Sequence, residues 1–486
     1  MVAFYQGMFI RRSEAELRVI ARVKRFMERF CGDALWRNEL LANPREAQRL
    51  FDAKGIELRA EDVATIWIGQ GGTRRGIRAT PIEVQGEDTP LALWSSWSAD
   101  IAKYRDMCRD AACTAAHHPQ FDTWRTRQLR RFSRELDPSN THAINNPLVA
   151  YELSNGCSVG CWFCGVSAER FGGYVPYDAE TSALWTGMLS SLMERFGQAA
   201  ATGFCYWATD PSDNPDYCRF IDEHRRITGF LPPTTTAVPM RSLAMTRDIL
   251  ALGDRYRHGN NRFSVLTLKA LDDIHQTFNA DELLTVDLVL QMNGSLTPKA
   301  KVGRGLQNRA RIERLQPIDS IVSELEQGSI ACVTGFLVNL PRRVVRLVSP
   351  CRADEQHLNG YITFAEKSFS DAETFAGAID QLIAENMRSC PYPNEIAKFS
   401  KSVQGCFEDD WFVVQSHVGT ERIMPFPFLR RLVDLINEGR HRFRDLAEVV
   451  TNDFPGEFLS VGVVLQDLFD AGLFEEMPRS SVSALS

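Results

Sequence analysis

Three cysteines fall within eight residues of this 486-residue chain, in the run Cys157-Ser158-Val159-Gly160-Cys161-Trp162-Phe163-Cys164. The C-x3-C-x2-C spacing, on a loop that Gly160 allows to turn, can wrap one small inorganic object. Thiolates are soft ligands and suit iron–sulfur clusters or zinc. A structural zinc usually takes four ligands, often as two separated C-x2-C pairs, and the sequence holds no second pair. A [4Fe–4S] cluster normally takes four thiolates, so one held by three leaves an iron open to an exogenous ligand. The competing reading is three cysteines packed as small apolar residues, or a partial zinc site.

The elements that must position this loop are strands and helices in alternation. Runs at 148–153, 203–209, 234–238, 262–268, 285–291, 330–339 and 344–348 read as strands, with helical patterns such as 181–195 and 245–252 between most of them. Such alternation argues for an α/β fold, a parallel sheet with crossover helices. Six or so units make a partial or full (β/α) barrel, whose chemistry sits at the C-terminal strand ends. The cysteine run directly follows the first of these strands.

Other regions flank that core. Residues 1–140 read as helical. Ser13 and Glu16 have capping-box spacing, and Leu17, Ile20, Val23, Met27 and Phe30 form one apolar stripe. A second helical stretch, 36–51, is split by Pro44. Gly69, Gly71, Gly72 and Gly76 lie in a loop with no Gly-Lys-Ser/Thr, so a flexible loop outweighs a phosphate cradle. The core is expected over 146–355, a capping or connecting region over 356–423, and a winged-helix-like module of three helices with a hairpin-like end over 424–478. The last residues, 479–486, read as a disordered tail.

The three-cysteine spacing, with aromatic Phe163 just before the third cysteine, resembles the radical S-adenosylmethionine (SAM) superfamily. The resemblance implies a barrel of that type, a [4Fe–4S] cluster on Cys157, Cys161 and Cys164, and SAM on the open iron. Reductive cleavage of SAM there yields a 5′-deoxyadenosyl radical that removes hydrogen from a substrate. It also implies an electron donor such as flavodoxin or ferredoxin. Where the family often carries Gly-Gly-Glu, this chain reads Tyr206-Trp207-Ala208-Thr209-Asp210-Pro211. Asp210 is the candidate partner of the SAM ammonium, against an Asx-turn at a strand end. Ser264 and Lys269 lie where the family contacts the SAM carboxylate or ribose, and Phe163 completes the cofactor-binding set.

The run from Glu152 to Gly165 and the stretch from Asp210 to Tyr217 are similar to peptide epimerases of proteusin-type pathways. These convert L-residues of a ribosomal precursor peptide to D-residues. The resemblance implies a precursor peptide with a leader as partner, gripped by the flanking modules, and a cysteine that returns hydrogen to the α-carbon. Cys351, just after the run 344–348, is the expected donor, with Cys332 and Cys390 as competitors and Cys205 assigned to core packing. Peptide cross-linking or C-methylation is the alternative within the enzyme class. An iron–sulfur DNA-binding redox sensor is the alternative outside it.

Composition bounds these readings. Hydrophobic residues are 44% and charged residues 24%, ordinary for a globular chain and excluding fibrous or wholly disordered ones. Net charge is −7, which argues against nucleic acid as a partner. No run reaches the roughly 18 apolar residues of a membrane span, and no secretory signal opens the chain, so a cytoplasmic protein without membrane partners is expected. His117-His118 near Cys113 lacks further zinc ligands and reads as a surface or capping pair. Arg342, Arg343 and Arg346 could form a small basic patch, or line a solvated strand entry. Arg125, Arg127, Arg130 and Arg131 beside Trp124 could meet an acidic leader, or form a solvated helix face.

Overall fold

The computed structural model describes residues 1–67, 89–114, 118–136, 146–297, 302–308, 329–409, 411–416, 418–423 and 426–476. The glycine-rich stretch after residue 68, His117 and the C-terminal tail lie outside them. The fold is mixed α/β with several sheets. Among the described residues, no helix is long and apolar enough to cross a membrane.

Local signals set the N-terminal helices: α1 (Val2–Ile10), α2 (Glu14–Gly32), α3 (Ala34–Ala42) and α4 (Ala47–Asp52). Both halves of the capping box form at the start of α2, where the Ser13 side chain accepts from the Glu16 amide and the Glu16 carboxylate accepts from the Ser13 amide. Pro44 opens a short 3-10 turn between α3 and α4, as its missing amide donor dictates. The α2 stripe buries Val23, Phe26 and Phe30 against Trp36 and Phe51. The longer helices α5 (Pro90–Cys113) and α6 (Pro119–Glu135) follow. His118 caps α6 by accepting from the Phe121 amide at 3.4 Å, the capping role expected of it.

The central part holds β1 (Val149–Glu152), α7 (Ala179–Phe196), α8 (Gln198–Ala201), α9 (Tyr217–Thr228), β2 (Thr235–Thr236), α10 (Leu243–Tyr256), β3 (Asn261–Val265), α11 (Leu268–Thr277) and β4 (Val286–Leu290). Then come α12 (Arg304–Gln307), β5 (Gly335–Asn339), β6 (Val344–Pro350), β7 (Tyr361–Ser368) and α13 (Ala372–Asn386). Strands β2, β3 and β4 form one parallel sheet. In the second sheet, ordered β1-β5-β6-β7, β1 and β5 are parallel. The segment expected as a strand at 203–209 adds only isolated bridges beside β1, at Phe204 and Tyr206, because Ala208 turns to φ 50° and ends the extended run.

The wholly parallel sheet expected from the alternation is not what forms. Strand β6 runs antiparallel to β5, and β7 antiparallel to β6. A parallel connection needs about a dozen residues or more. The chain from Asn339 to Val344 instead makes a tight turn, with Arg343 at φ 52° and its amide bonded to the Leu340 carbonyl at 3.2 Å.

The β1-β5-β6 sheet has two unlike faces, as period-two alternation requires. Val149, Tyr151, Phe336, Val338, Val345 and Leu347 face a large core containing Trp185, Phe220 and Ile379 from α7, α9 and α13. Ala150, Leu337 and Val348 face the other way, toward Phe204, Trp207, Ala331 and Val333. This second side is the inner face.

The C-terminal part is a separate core. It comprises the antiparallel sheet β8 (Val403–Glu408), β9 (Trp411–Ser416) and β10 (Thr420–Ile423), followed by α14 (Leu429–Asn437), α15 (Phe443–Asp453) and α16 (Phe458–Asp470). The three helices match expectation, and Val461, Val464, Leu465, Leu468 and Phe469 are buried together. The sheet was not expected. Val403, Phe412 and Val414 share the helices' core, so packing starts this module near 397 and not at 424. Likewise Phe364, Phe369 and Phe375 join the central core, which extends it past 355. The apolar end, Leu473-Phe474, forms no hairpin of its own. Phe474 pairs with Phe399, and Ser400 donates to the Leu473 carbonyl at 2.8 Å.

Candidate functional site

The cysteine turn leaves the C-terminal end of β1 and is fixed mainly by groups outside it. Gly156, at φ 75°, lies so close to the chain that a Cβ there would sit 2.4 Å from the Arg170 carbonyl oxygen. The Cys157 amide donates to the Glu169 carbonyl at 2.9 Å. Gly160, at φ 65°, supplies the reversal that the spacing called for. The Cys164 sulfur accepts from the Ala168 amide at 3.4 Å. All three cysteines are half-buried, and Phe163 packs edge-on against Trp162 with ring centroids 5.3 Å apart.

Two distant segments grip this turn. The first is 210–216. The Asp213 carboxylate accepts from the Ser158 amide at 2.9 Å, inside the cysteine run itself. Asn214 donates to the carbonyls of Leu153 at 3.1 Å and Val175 at 3.0 Å, and Asp216 accepts from the Tyr177 amide at 3.0 Å. The second is 302–308. The Arg304 amide donates to the Cys164 carbonyl at 3.0 Å, and its guanidinium donates to the carbonyls of Cys161 and Ala168. Asn308 donates to the Trp162 carbonyl at 3.3 Å. Asp213, Asn214 and Arg304 carried no signal of this role. Their partners are roughly 50 to 140 positions away in sequence, and Asx turns and lone arginines are common.

Asp210 sits beside the turn but is heavily engaged. It is buried and accepts from the Ser212 amide and hydroxyl at 3.0 and 2.7 Å, the Thr236 hydroxyl at 3.0 and 3.1 Å, and the Ala237 amide at 2.8 Å. It thus joins the 210–213 turn to β2 and fulfils the Asx-turn reading. A ligand ammonium would have to displace one of these donors. Ser264 lies on β3, half-buried, on the same strand face as Arg262. Lys269 lies in the first turn of α11, exposed, and pairs with Asp273 at 2.7 Å.

Electrostatics of the turn follow from burial. It pushes the Cys157 thiol up to about 12 and the Cys161 thiol to about 11, with Asp210 near both adding to the rise and Arg304 pulling Cys161 back. These thiols are protonated at neutral pH, so metal binding releases protons. Among the described residues, no group of three or more His, Cys, Asp or Glu is drawn close enough together to hold a metal ion. The donor set itself, three soft sulfurs on one turn anchored from both sides, is chemically matched to a thiolate-bound cluster.

The inner face of the sheet is polar at the end nearest the turn. Glu152 and Asn339 stand directly opposite in the β1–β5 register, and the Asn339 amide donates to the Glu152 carboxylate. Burial pushes the Glu152 carboxyl up to about 7, against the Asn339 bond and the charges of Arg346 and Arg342. Cys332 packs with Tyr206, Tyr361 and Trp207 on this face. Burial raises its thiol to about 12, with Arg262 pulling it down. The residue as a whole is half-buried, and it also packs against Phe132 and Leu136 at the end of α6. Arg262 itself has a buried Nε without a hydrogen-bond partner.

Cys351 does follow a late strand, as expected, but β6 runs backwards. Val344 pairs with Asn339 and Val348 with Gly335, so the Cys351 end of β6 is the end away from Glu152 and the cysteine turn. Cys351 is buried beside Arg131, and burial raises its thiol strongly. Cys205 is fully buried in the central core, as assigned, and Cys390 is exposed.

The remaining arginines are internal or individually paired. Arg342, Arg343 and Arg346 pair with Glu169, Glu180 and Glu366. Arg125, Arg127 and Arg131 of α6 are neither a solvated face nor an exposed patch. They are buried, and bond to the Asn146 carbonyl, to Glu476, and to Glu135, Ser349 and Pro350.

One bacterial relative is similar along nearly the whole chain. The "Uncharacterized protein y4wI" of Sinorhizobium fredii (strain NBRC 101917 / NGR234) is 34% identical over 476 residues, 97% of this chain and 90% of that protein. No protein-family model matches the chain. No solved structure matches it.

Proposed function

The chain belongs to the family of protein y4wI, and we propose that it is a radical SAM enzyme that epimerises residues of a ribosomally made precursor peptide. The observation that carries this reading is the three-thiol turn at the end of a parallel strand, clamped from both sides with its sulfurs half-exposed. The β1 sheet, extended by the bridges at Phe204 and Tyr206, and the β2-β3-β4 sheet, to which Asp210 bonds at Thr236 and Ala237, are the wall of a partial (β/α) barrel in this reading. Cys157, Cys161 and Cys164 hold the cluster. A [4Fe–4S] centre held by these three thiolates would, with SAM, supply the hydrogen-abstracting radical chemistry.

The chain's own groups do the rest. Ser264 and the under-bonded Arg262 face the recess and offer donors to the SAM carboxylate. Glu152 and Asn339 present a polar edge to the substrate. Hydrogen return needs a weak S–H bond facing the recess. Cys332 packs on the inner face near Arg262, whereas Cys351 lies beside Arg131 at the sheet end away from the cysteine turn, so we place the donor role on Cys332. The thiol left without its hydrogen atom regains it as one electron from a flavodoxin- or ferredoxin-like donor and one proton. The C-terminal module holds the leader. Its strand β10 has a ladder partner on one side only among the described residues, the kind of edge that takes an extended peptide.

The deciding experiment is anaerobic reconstitution followed by reaction with the adjacent-gene peptide in deuterated water. SAM cleavage and one deuteron at each inverted α-carbon are expected. Cys332→Ala should abstract hydrogen without returning it, while Cys351→Ala should still invert. A cluster-free or zinc-loaded protein that leaves SAM intact would overturn the reading.

A further inference from the structure

Residues 302–308 lie across the cysteine turn, far from it in sequence, and their contacts converge on one side chain. Gly303, at φ 58°, approaches so closely that a Cβ would fall 2.3 Å from the Gly165 oxygen and 2.6 Å from the Cys164 oxygen. Its amide donates to the Leu358 carbonyl at 2.7 Å, which ties the segment to the chain leading into β7. This close approach brings the next residue, Arg304, onto three carbonyls of the turn. The amide takes Cys164, and the guanidinium takes Cys161 at 3.3 Å and Ala168. A planar fork can bridge two carbonyls at once, which a point-like ammonium cannot. Among the described residues no ion pair joins Arg304 to a carboxylate, and its charge acts on the Cys161 thiol.

We infer that Arg304 is a positioning residue that fixes the backbone of the Cys161–Cys164 half of the turn and biases a centre assembled there toward reduction. This inference rests on the cluster reading above. Two separable effects follow from one side chain. The fork sets geometry, because it fixes the carbonyls and so the backbone that carries both sulfurs. The charge sets potential, because a fixed cation near an anionic centre favours the added electron.

Arg304→Lys and Arg304→Gln separate the two. Wild type and both variants are reconstituted anaerobically with iron and sulfide, and folding is checked by circular dichroism. Iron loss to a chelator and the midpoint potential of the centre are then measured. Arg304→Gln should lose iron about tenfold faster and show a more negative potential. Arg304→Lys should also lose iron faster, because the fork is gone, yet keep a potential near wild type. Wild-type iron retention and potential in both variants would overturn the inference. A potential equally lowered in both would overturn its charge half.

A second measurement does not depend on the cluster. In the metal-free protein, alkylation of Cys161 and Cys164 by iodoacetamide should be faster in Arg304→Lys, which keeps the cation and loses the fork, than in wild type. Unchanged labelling would sink the clamp even if the cluster forms. Failure of wild-type protein to assemble any centre would instead sink the cluster reading and leave the labelling result to judge the clamp.

Discussion

The cysteine turn and the arginine-rich helix α6 look alike in sequence: each crowds groups that bind ligands into a short stretch. The structure uses them in opposite ways. In α6, Arg125, Arg127 and Arg131 are buried and engaged, stitching the helix to the Asn146 carbonyl, to Glu476 at the end of the C-terminal module, and to Ser349 and Pro350 of β6. In the turn, the cysteines are half-buried, and Asp213 and Arg304 bond to its backbone groups. A stretch whose side chains bond inward is architecture. One whose backbone is held from outside and whose thiols are not all enclosed is a candidate site.

The largest effect that can break this contrast is in α6. Arg127, 1% exposed, bonds Glu476 at 2.8 Å, with its guanidinium over the Phe469 ring. Arg127→Ala takes the nearest cation from a buried carboxylate, leaving it Gln128 and Arg388, and should cost about 3 kcal/mol in urea unfolding. Replacing the three turn cysteines with alanine should cost the metal-free protein under about 1 kcal/mol each, because half-exposed thiols bury little area. Equal losses at both places would erase the distinction.

Glu152 stands between the two cases: buried like the arginines, yet on the strand that feeds the turn. Its folded-state carboxyl titrates near 7, above the ordinary 4.5, so the fold favours the protonated form. That contribution is fully present below about pH 4.5 and is lost as pH rises through 7. Glu152→Gln mimics the protonated form. Its stability relative to wild type should rise across this window to about 3 kcal/mol above pH 7. A difference that does not vary with pH would mean Arg346 and Asn339 already compensate the charge.

Asp213 tests the holding side of the contrast. Asp213→Ala leaves the Ser158 amide without its acceptor and should cost about 1–2 kcal/mol. More tellingly, it should speed proteolysis and alkylation within 157–164. An unchanged labelling rate would show that Gly156 and the Glu169 carbonyl suffice to hold the turn.

What could be read from sequence follows from range. The capping box at Ser13 and Glu16, the stripe through Ile20 and Val23, and the reversal at Gly160 depend on neighbours within a few positions. They form as expected. The sense of β6 is legible in the length of its link, since the chain between Asn339 and Val344 is too short for a crossover. The β8–β9 hairpin carried a similar signal in the aromatic and β-branched run Trp411-Phe412-Val413-Val414 after acidic turn residues. Asp213 on Ser158 and Arg304 on Cys161 had no such signal, because a contact between remote segments leaves no local periodicity. Burial of the α6 arginines was hidden for the same reason: their carbonyl, hydroxyl and carboxylate partners come from Asn146, Ser349 and Glu476, scattered along the chain.

The smallest expected effect separates two residues that looked equivalent around β3. Ser264 shares its strand face with Arg262, whereas Lys269 is in the first turn of α11 and pairs with Asp273 in solvent. An exposed pair of this kind contributes under about 0.5 kcal/mol. Lys269→Ala should therefore leave the melting temperature and SAM binding by the reconstituted protein at wild-type values, measured by calorimetry. Ser264→Ala should weaken SAM binding several-fold, by about the value of one hydrogen bond. The reverse ranking would place the nucleotide over α11 and move the recess away from the inner face, taking Cys332 out of reach of any substrate held there.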